Sequence, residues 1–199
     1  MRKWILIPWL ILIFSAISFL FWHNEFKYSL PTPVPAKYQP VENGTVINVS
    51  NKVHAQNNKP VFFHFFNPDC PCSRFNIGYF KSLVTRYKDR VNFNIVVLSA
   101  NKNYTAKEIQ EKFDIAIPVF FDSSIAVACG VYSTPQAALI DNNGQLYYRG
   151  NYNRSRYCTD RNSNFAQMAI DSLLLKIANP FFTLAATKSY GCSLPACTR

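Results

Sequence analysis

The stretch from Lys59 to Asn76, KPVFFHFFNPDCPCSRFN, constrains the fold more tightly than any other part of the chain. Val61 to Phe66 is an aromatic-rich run between prolines, the pattern of a short strand buried on both faces. Asn67-Pro68-Asp69 is a turn signal, and two cysteines separated by one proline follow at once. Phe75, Ile77, Phe80, Leu83 and Val84 then recur at helical spacing. The order is strand, tight turn, cysteine pair, helix. A thiol at a helix N-terminus meets unpaired backbone N–H groups and the positive end of the helix dipole. Both favour the thiolate, the reactive form of cysteine. Pro71 suits the first helical position. The stretch therefore reads as a redox site.

Six cysteines stand at 70, 72, 129, 158, 192 and 197. Whether they pair depends on compartment, and spacing alone does not choose the partners. The segment before the globular part addresses the compartment. Arg2-Lys3 precede Trp4 to Trp22, 19 residues without a charge. At about 1.5 Å per residue such a helix comes close to crossing a hydrocarbon core of roughly 30 Å. Charges ahead of the span place the N-terminus in the cytoplasm and the rest outside it. Residues 1–23 are thus expected to be an uncleaved transmembrane signal-anchor; a cleaved signal peptide competes, but no Ala-x-Ala-like site follows. The formal charge of +10 is spread along the chain and accompanies no nucleic-acid-binding motif, so nucleic acid is not an expected partner.

Residues 24–58 carry prolines at 31, 33, 35 and 40 and are expected to be an extended linker, with Thr45 to Val49 a weak candidate for an added strand. From Lys59 the chain becomes globular. Val91–Leu98 and Ile117–Phe121 read as further strands, Ala106–Phe113 as a helix, and Ser123–Cys129 as a helical turn ended by Gly130. Gln136–Ile140 and Leu146–Tyr148 flank Asn142-Asn143-Gly144, a hairpin signal. Asn164–Ile177 closes the domain as an amphipathic helix stopped by Pro180. This alternation predicts an α/β sandwich around a mixed sheet over residues 59–180, with a cysteine-containing tail over 181–199.

The chain resembles the thioredoxin-like superfamily, and within it the membrane-tethered TlpA/ResA-type redoxins of bacterial envelopes. The resemblance rests on Val61 to Cys72 and, more specifically, on Phe121-Asp122 through Gly130-Val131-Tyr132-Ser133-Thr134-Pro135-Gln136 to Asp141, then Gly144 and Tyr148-Arg149-Gly150. It implies a three-layer thioredoxin-like sandwich and a thiol–disulfide oxidoreductase acting on protein thiols and disulfides through a Cys70 mixed disulfide that Cys72 resolves. It further implies a cis Thr134–Pro135 pair that binds an extended substrate beside the cysteines. The implied location is the bacterial inner membrane, single-pass, with the domain in the periplasm, where a membrane redox partner could serve it. No cofactor is expected.

The departures from that family's Cys-x-x-Cys are informative. Here the order is Cys70-Pro71-Cys72, and Ser73 takes the second cysteine's place. Residues three apart on a helix share a face, whereas residues two apart do not. Either Cys70 and Cys72 form an exchange-prone pair, or Cys70 reacts alone and a distant thiol resolves it, with Cys192 and Cys197 the candidates. A local structural disulfide between Cys192 and Cys197 is the plainer alternative. His64 occupies the place of a proton-relaying acid, although a core histidine is the simpler reading. Asp69 should oppose ionisation of Cys70, and Arg74 should offset part of that effect. Cys129 reads as a small buried side chain; Cys158 receives no role. Two other functions compete. A thiol peroxidase would carry Ser or Thr where Asn67 stands, and cysteine-based copper or zinc binding would use Cys70 and Cys72, alone or with Cys192 and Cys197.

Overall fold

The structure is a computed structural model of the 199-residue chain, and it describes residues 2–26, 30–48, 58–100, 103–178 and 180–194. The first element is α1, Arg2–Phe21, continued by a short π-helical turn over Trp22–Phe26. Its described apolar side chains other than the half-buried Ile13 are exposed, Trp4 at 82% and Phe14 at 74% among them. The sequence predicts a membrane-crossing helix here, and a helix does form. Side chains are described, however, only for Trp4 and residues 6–21 of it, and among the described residues no helix is long and apolar enough to cross a membrane.

The globular part is built on a five-stranded mixed sheet: β1 (Val61–Phe66), β2 (Asn92–Val97), β3 (Val119–Phe120), β5 (Gln136–Ile140) and β6 (Leu146–Gly150), in the spatial order β3-β2-β1-β5-β6. β1 and β2 are parallel, as are β2 and β3, while β5 runs antiparallel to both β1 and β6. The central strand β1 is buried at every position, which is why it reads as an unbroken rather than an alternating apolar run. Alternate residues then feed opposite faces. Phe62 and Phe66 join Phe80 and Leu83 of α2 (Pro71–Tyr87) and Ala166, Ala169 and Ile170 of α5 (Phe165–Leu174). Phe63 and Phe65 face Ile125 and Ala126 of α4 (Ser123–Ala128) together with Ile47. Each fully buried phenylalanine contributes about 1.5–3 kcal/mol of transfer free energy, so this strand anchors whatever is attached to its end. What is attached is the cysteine turn.

Most predicted elements are present with shifted ends. α3, Ala106–Phe113, has the expected limits because a capping box fixes its start: Thr105 Oγ1 accepts from the Glu108 N–H, and the Glu108 carboxylate accepts from the Thr105 N–H. The β5–β6 hairpin turns through Gly144 at φ +78°, where the Asp141 carboxylate accepts from the N–H groups of Asn143 and Gln145. β3 is shorter than expected, and α5 ends at Leu174 rather than Ile177 because Lys176 at φ +61° breaks the helical path.

The linker departs from expectation. Residues 30–48 lie partly on the domain instead of extending away from it. Thr32 is 3% exposed, the Tyr38 ring meets Tyr132 edge-on at 4.7 Å, and Ile47 enters the core. The candidate strand at Thr45–Val49 is a single antiparallel bridge, Val46 to Gln145, and Val49 lies outside the described residues.

Candidate active site

Cys70 is the N-cap residue of α2, with extended backbone angles (φ −90°, ψ 122°) and Pro71 in the first turn behind it. The turn that delivers it is tied internally. The Cys70 N–H donates to the Asn67 carbonyl at 3.0 Å, the Asp69 N–H donates to Asn67 Oδ1 at 2.9 Å, and the Asn67 N–H donates to Ser73 Oγ at 3.3 Å. Ser73, wholly buried, therefore braces the turn and does not present a reactive group. The Cys70 sulfur sits at the open, positive end of the helix, where a thiolate is stabilised.

The opposite wall is the Thr134–Pro135 peptide, which is cis. The Thr134 carbonyl oxygen lies 4.0 Å from Cys70 Sγ. Thr134 belongs to β4 (Ser133–Thr134), a short strand outside the main sheet. Its partner comes from the far end of the chain. β7, Cys192–Ser193, pairs antiparallel with β4, placing Cys192 opposite Thr134 and Ser193 opposite Ser133.

That pairing carries a covalent bond. Cys70 and Cys192 form a disulfide across 122 residues, with their Cα atoms 6.6 Å apart. Cys72, the second residue of α2, lies outside the disulfide, yet the sulfurs of Cys70, Cys72 and Cys192 all fall within 4.8 Å of one another. Of the two pairings open to Cys70, the one with a distant thiol is formed. Residues two apart at a helix start diverge, and the returning tail delivers a sulfur to the open side of Cys70. A Cys192–Cys197 bond is not formed by Cys192; Cys197 lies outside the described residues.

The tail also seals the site. Cys70 is 0% exposed, Cys192 1% and Cys72 3%. The reactive position is therefore covered in this state, with Cys70 bonded to Cys192 and its sulfur against the Thr134 carbonyl. Upstream of β7 the tail is held by Thr32, whose N–H donates to the Ser189 carbonyl at 2.9 Å and whose Oγ1 donates to the Gly191 carbonyl at 3.1 Å. Gln136 Nε2 adds a buried bond to Ser189 Oγ at 2.6 Å. A cavity of about 700 Å³ borders the cluster, lined by Cys72, Asn76, Pro135, Arg156, Cys158 and Gly191 among others.

Of the supporting residues, His64 is the core histidine of its simpler reading. His64 is wholly buried, stacked on Phe80 at 4.3 Å, and its Nδ1 shares a 2.7 Å hydrogen bond with the Tyr152 hydroxyl. Burial pushes its pKa down to about 3, so it is neutral near pH 7. Its hydrogen-bond partner is a side chain and not the backbone, and a proton relay near neutral pH finds no support in that environment. Asp69 is exposed and turned away to Ser99 and Tyr104, whose hydroxyls donate to its carboxylate at 2.6 Å each. Burial works against its charge, but those two bonds and the charges of Lys112 and Arg74 outweigh it and hold its pKa below the usual value. Arg74 is exposed on the first turns of α2.

Of the other described cysteines, Cys129 lies apart from the cluster and Cys158 lines the cavity beside it. Cys129 is fully buried in the second core cluster, and burial raises its pKa to about 12. Cys158 accepts a hydrogen bond from Asn76 Nδ2 at 3.0 Å, and burial raises its pKa to about 11. Sequence reasoning gave Cys158 no role and missed Thr32, Gln136 and Ser189, which fasten the tail. No local pattern marks these three, since their partners lie 53 to 159 residues away.

A family model described as "Domain of unknown function (DUF6436)" matches residues 39–195. The chain belongs to this family. The matched region includes all three clustered cysteines and, of the linker residues that pack on the domain, Ile47 but not Thr32 or Tyr38. No curated protein matches the sequence. Among solved structures, a hypothetical protein from Sinorhizobium meliloti 1021 is similar at a TM-score of 0.66 and 15% identity, covering 80% of this chain and 97% of that one. An uncharacterized conserved protein from Geobacillus kaustophilus is similar at 0.61 and 19%, covering 82% and 97%. A thioredoxin-family thiol:disulfide interchange protein from Chlorobium tepidum TLS aligns at 0.47 and 15%, covering 71% and 99%. The sheet order, the cysteine at the start of α2 and the cis-proline facing it fit a thioredoxin-like mixed α/β fold.

Proposed function

We propose that this DUF6436 protein is a thiol–disulfide oxidoreductase whose reactive sulfur is Cys70 and whose resolving sulfur is Cys192. The observation that carries the reading is the Cys70–Cys192 disulfide at the start of α2, opposite the cis Thr134–Pro135 peptide. In the reduced protein the Cys70 thiolate attacks one sulfur of a substrate disulfide. A Cys70–substrate bond forms, and the other substrate sulfur leaves as a thiolate with the electron pair. The Cys192 thiolate then attacks Cys70 Sγ and releases the second substrate thiolate, leaving the Cys70–Cys192 bond. The substrate gains two electrons and the protein loses two. Run backwards, the same steps oxidise a dithiol. Cys72, within 4.8 Å of both partners, can enter the exchange as a third sulfur.

We extend the reading to location. Helix α1 begins with Arg2-Lys3, continues as an uncharged apolar run and exposes most of its large side chains, which supports a bacterial inner-membrane anchor with the domain on the outer face, where protein disulfides persist. The test uses the full chain in detergent. Reduced wild type should reduce insulin disulfides, Cys70→Ser should not, and Cys192→Ser should accumulate mixed disulfides through Cys70. Retained turnover in Cys70→Ser would remove that sulfur from the chemistry.

One observation favours a second reading. Once reduced, the three clustered sulfurs form a thiolate set suited to a soft ion such as Cu(I) or to zinc. Metal analysis of the anaerobically reduced chain, compared with Cys72→Ser, separates it from exchange chemistry. Stoichiometric metal lost in the variant favours binding, and no retained metal removes it.

A further inference from the structure

The segment that closes over Cys70 is shaped for its seat, and the fit depends on one residue. Gly191 has φ +146°, in the region that L side chains rarely adopt. A Cβ placed there would overlap the Thr134 carbonyl oxygen and stand 3.0 Å from the Thr134 carbonyl carbon. Both atoms are backbone, on the strand that also pairs with Cys192, so they have no flexible end with which to move aside. Two independent constraints, conformation and space, therefore exclude a side chain immediately before the cysteine bonded to Cys70. The seat adds a second selection. It reads backbone, because Cys192 and Ser193 dock as a strand on Thr134 and Ser133.

The docking leaves polar groups of the seat unpaired. Ser133 Oγ and Thr134 Oγ1 are buried with no hydrogen-bond partner among the described residues. Leaving such groups buried and unpaired weakens the hold of the seat on the strand that covers it. The disulfide then supplies much of the hold, and cutting it frees the seat for another strand.

We propose that the groove beside Thr134 accepts a peptide or protein disulfide whose cysteine directly follows a glycine in an extended segment, and that residues 191–193 occupy it as an internal stand-in for that partner. This rests on the exchange chemistry proposed above. Cys70 attacks the partner's cysteine sulfur, the Cys70–partner bond forms, and the partner's former sulfur leaves as a thiolate. Reduction of Cys70–Cys192 by an external dithiol, which is itself oxidised, opens the seat beforehand.

The test uses the reduced full chain carrying Cys192→Ser, with acetylated Gly-Cys-Ser-Leu and Ala-Cys-Ser-Leu peptides as mixed disulfides of nitrothiobenzoate. Release of the coloured thiolate gives the rate, and mass mapping locates the adduct. The glycine peptide should react on Cys70 faster by about 10-fold or more, equivalent to about 1.4 kcal/mol. Equal rates overturn the proposal. So does failure of both peptides while Ellman's reagent, a disulfide without a peptide, reacts at Cys70; the oxidoreductase reading then survives. Failure of every disulfide at Cys70 ends that reading and this one with it. In the intact chain, Gly191→Ala should lose the Cys70–Cys192 bond in a redox buffer where wild type and Ser193→Ala keep it, while circular dichroism shows the domain still folded. A bond formed equally in Gly191→Ala contradicts the steric argument.

Discussion

Cys70 and Cys129 are both 0% exposed, and they are covered in opposite ways. Cys129 ends α4 inside the cluster of Phe63, Phe65, Ile125 and Ile140, on the face of the sheet that α4 closes. Uncovering it means unfolding the domain. Cys70 stands at the end of the same central strand but forms its own small cluster with Cys72 and Cys192. Its cover is a short strand held by two residues of pairing, a few tail hydrogen bonds and one disulfide. Burial therefore does not distinguish an inert thiol from a reactive one. What distinguishes them is whether the cover is the core itself or a segment that a single chemical step can release.

The largest expected effect bears directly on that contrast. Cys70→Ser should lower disulfide-exchange turnover by about 100-fold or more, whereas Cys129→Ala should leave it within about 2-fold. A comparable loss in both variants would show that the two cysteines share a role and would dissolve the comparison. Next in size is accessibility. After mild reduction of the folded chain, iodoacetamide should label Cys70 and Cys192 at least about 10-fold faster than Cys129, whose thiol burial holds at a pKa of about 12. Equal labelling, measured by peptide mass mapping, would mean that the tail does not lift.

The buried faces can be probed through pH. His64 has a pKa of about 3 in the folded chain against about 6.5 when unfolded, so between those values the unfolded chain binds more protons. Stability should be level above pH 6.5 and fall as the pH drops toward 3. Between pH 7.5 and 5 the loss should be about 2 kcal/mol, and His64→Gln should remove most of that slope in denaturant titrations. Exchange rates should show no step assignable to His64 near pH 6.5. The smallest effect is at Cys129 again: Cys129→Ala should cost about 1 kcal/mol through the small void it leaves, with no change in the Cys70–Cys192 bond.

The contrast also explains what the sequence made legible. The strand ending in the cysteine turn, the helix beginning at Pro71 and the Thr134-Pro135 loop are each written in a few adjacent residues, with periodicity or turn chemistry to mark them. The Ala106–Phe113 helix was readable to the residue because Thr105 and Glu108 spell out its cap. The partner of Cys70 was not readable in this way. Pairing across 122 residues depends on where the tail returns, and that path is set by Thr32, Gln136 and Ser189 acting at long range. Gly191, immediately before Cys192, is the local clue, but its meaning appears only once Thr134 stands opposite. Similarly, the prolines of residues 31–40 express a local preference for extended chain, while the docking of Thr32 and Tyr38 is a tertiary event that composition does not encode.

The most direct test is non-reducing peptide mapping of the full chain after rapid alkylation of thiols. A cross-linked peptide joining Cys70 to Cys192, with Cys72 and Cys129 alkylated only once the chain is unfolded, is the predicted result. A Cys70–Cys72 or Cys192–Cys197 linkage in its place would contradict the account.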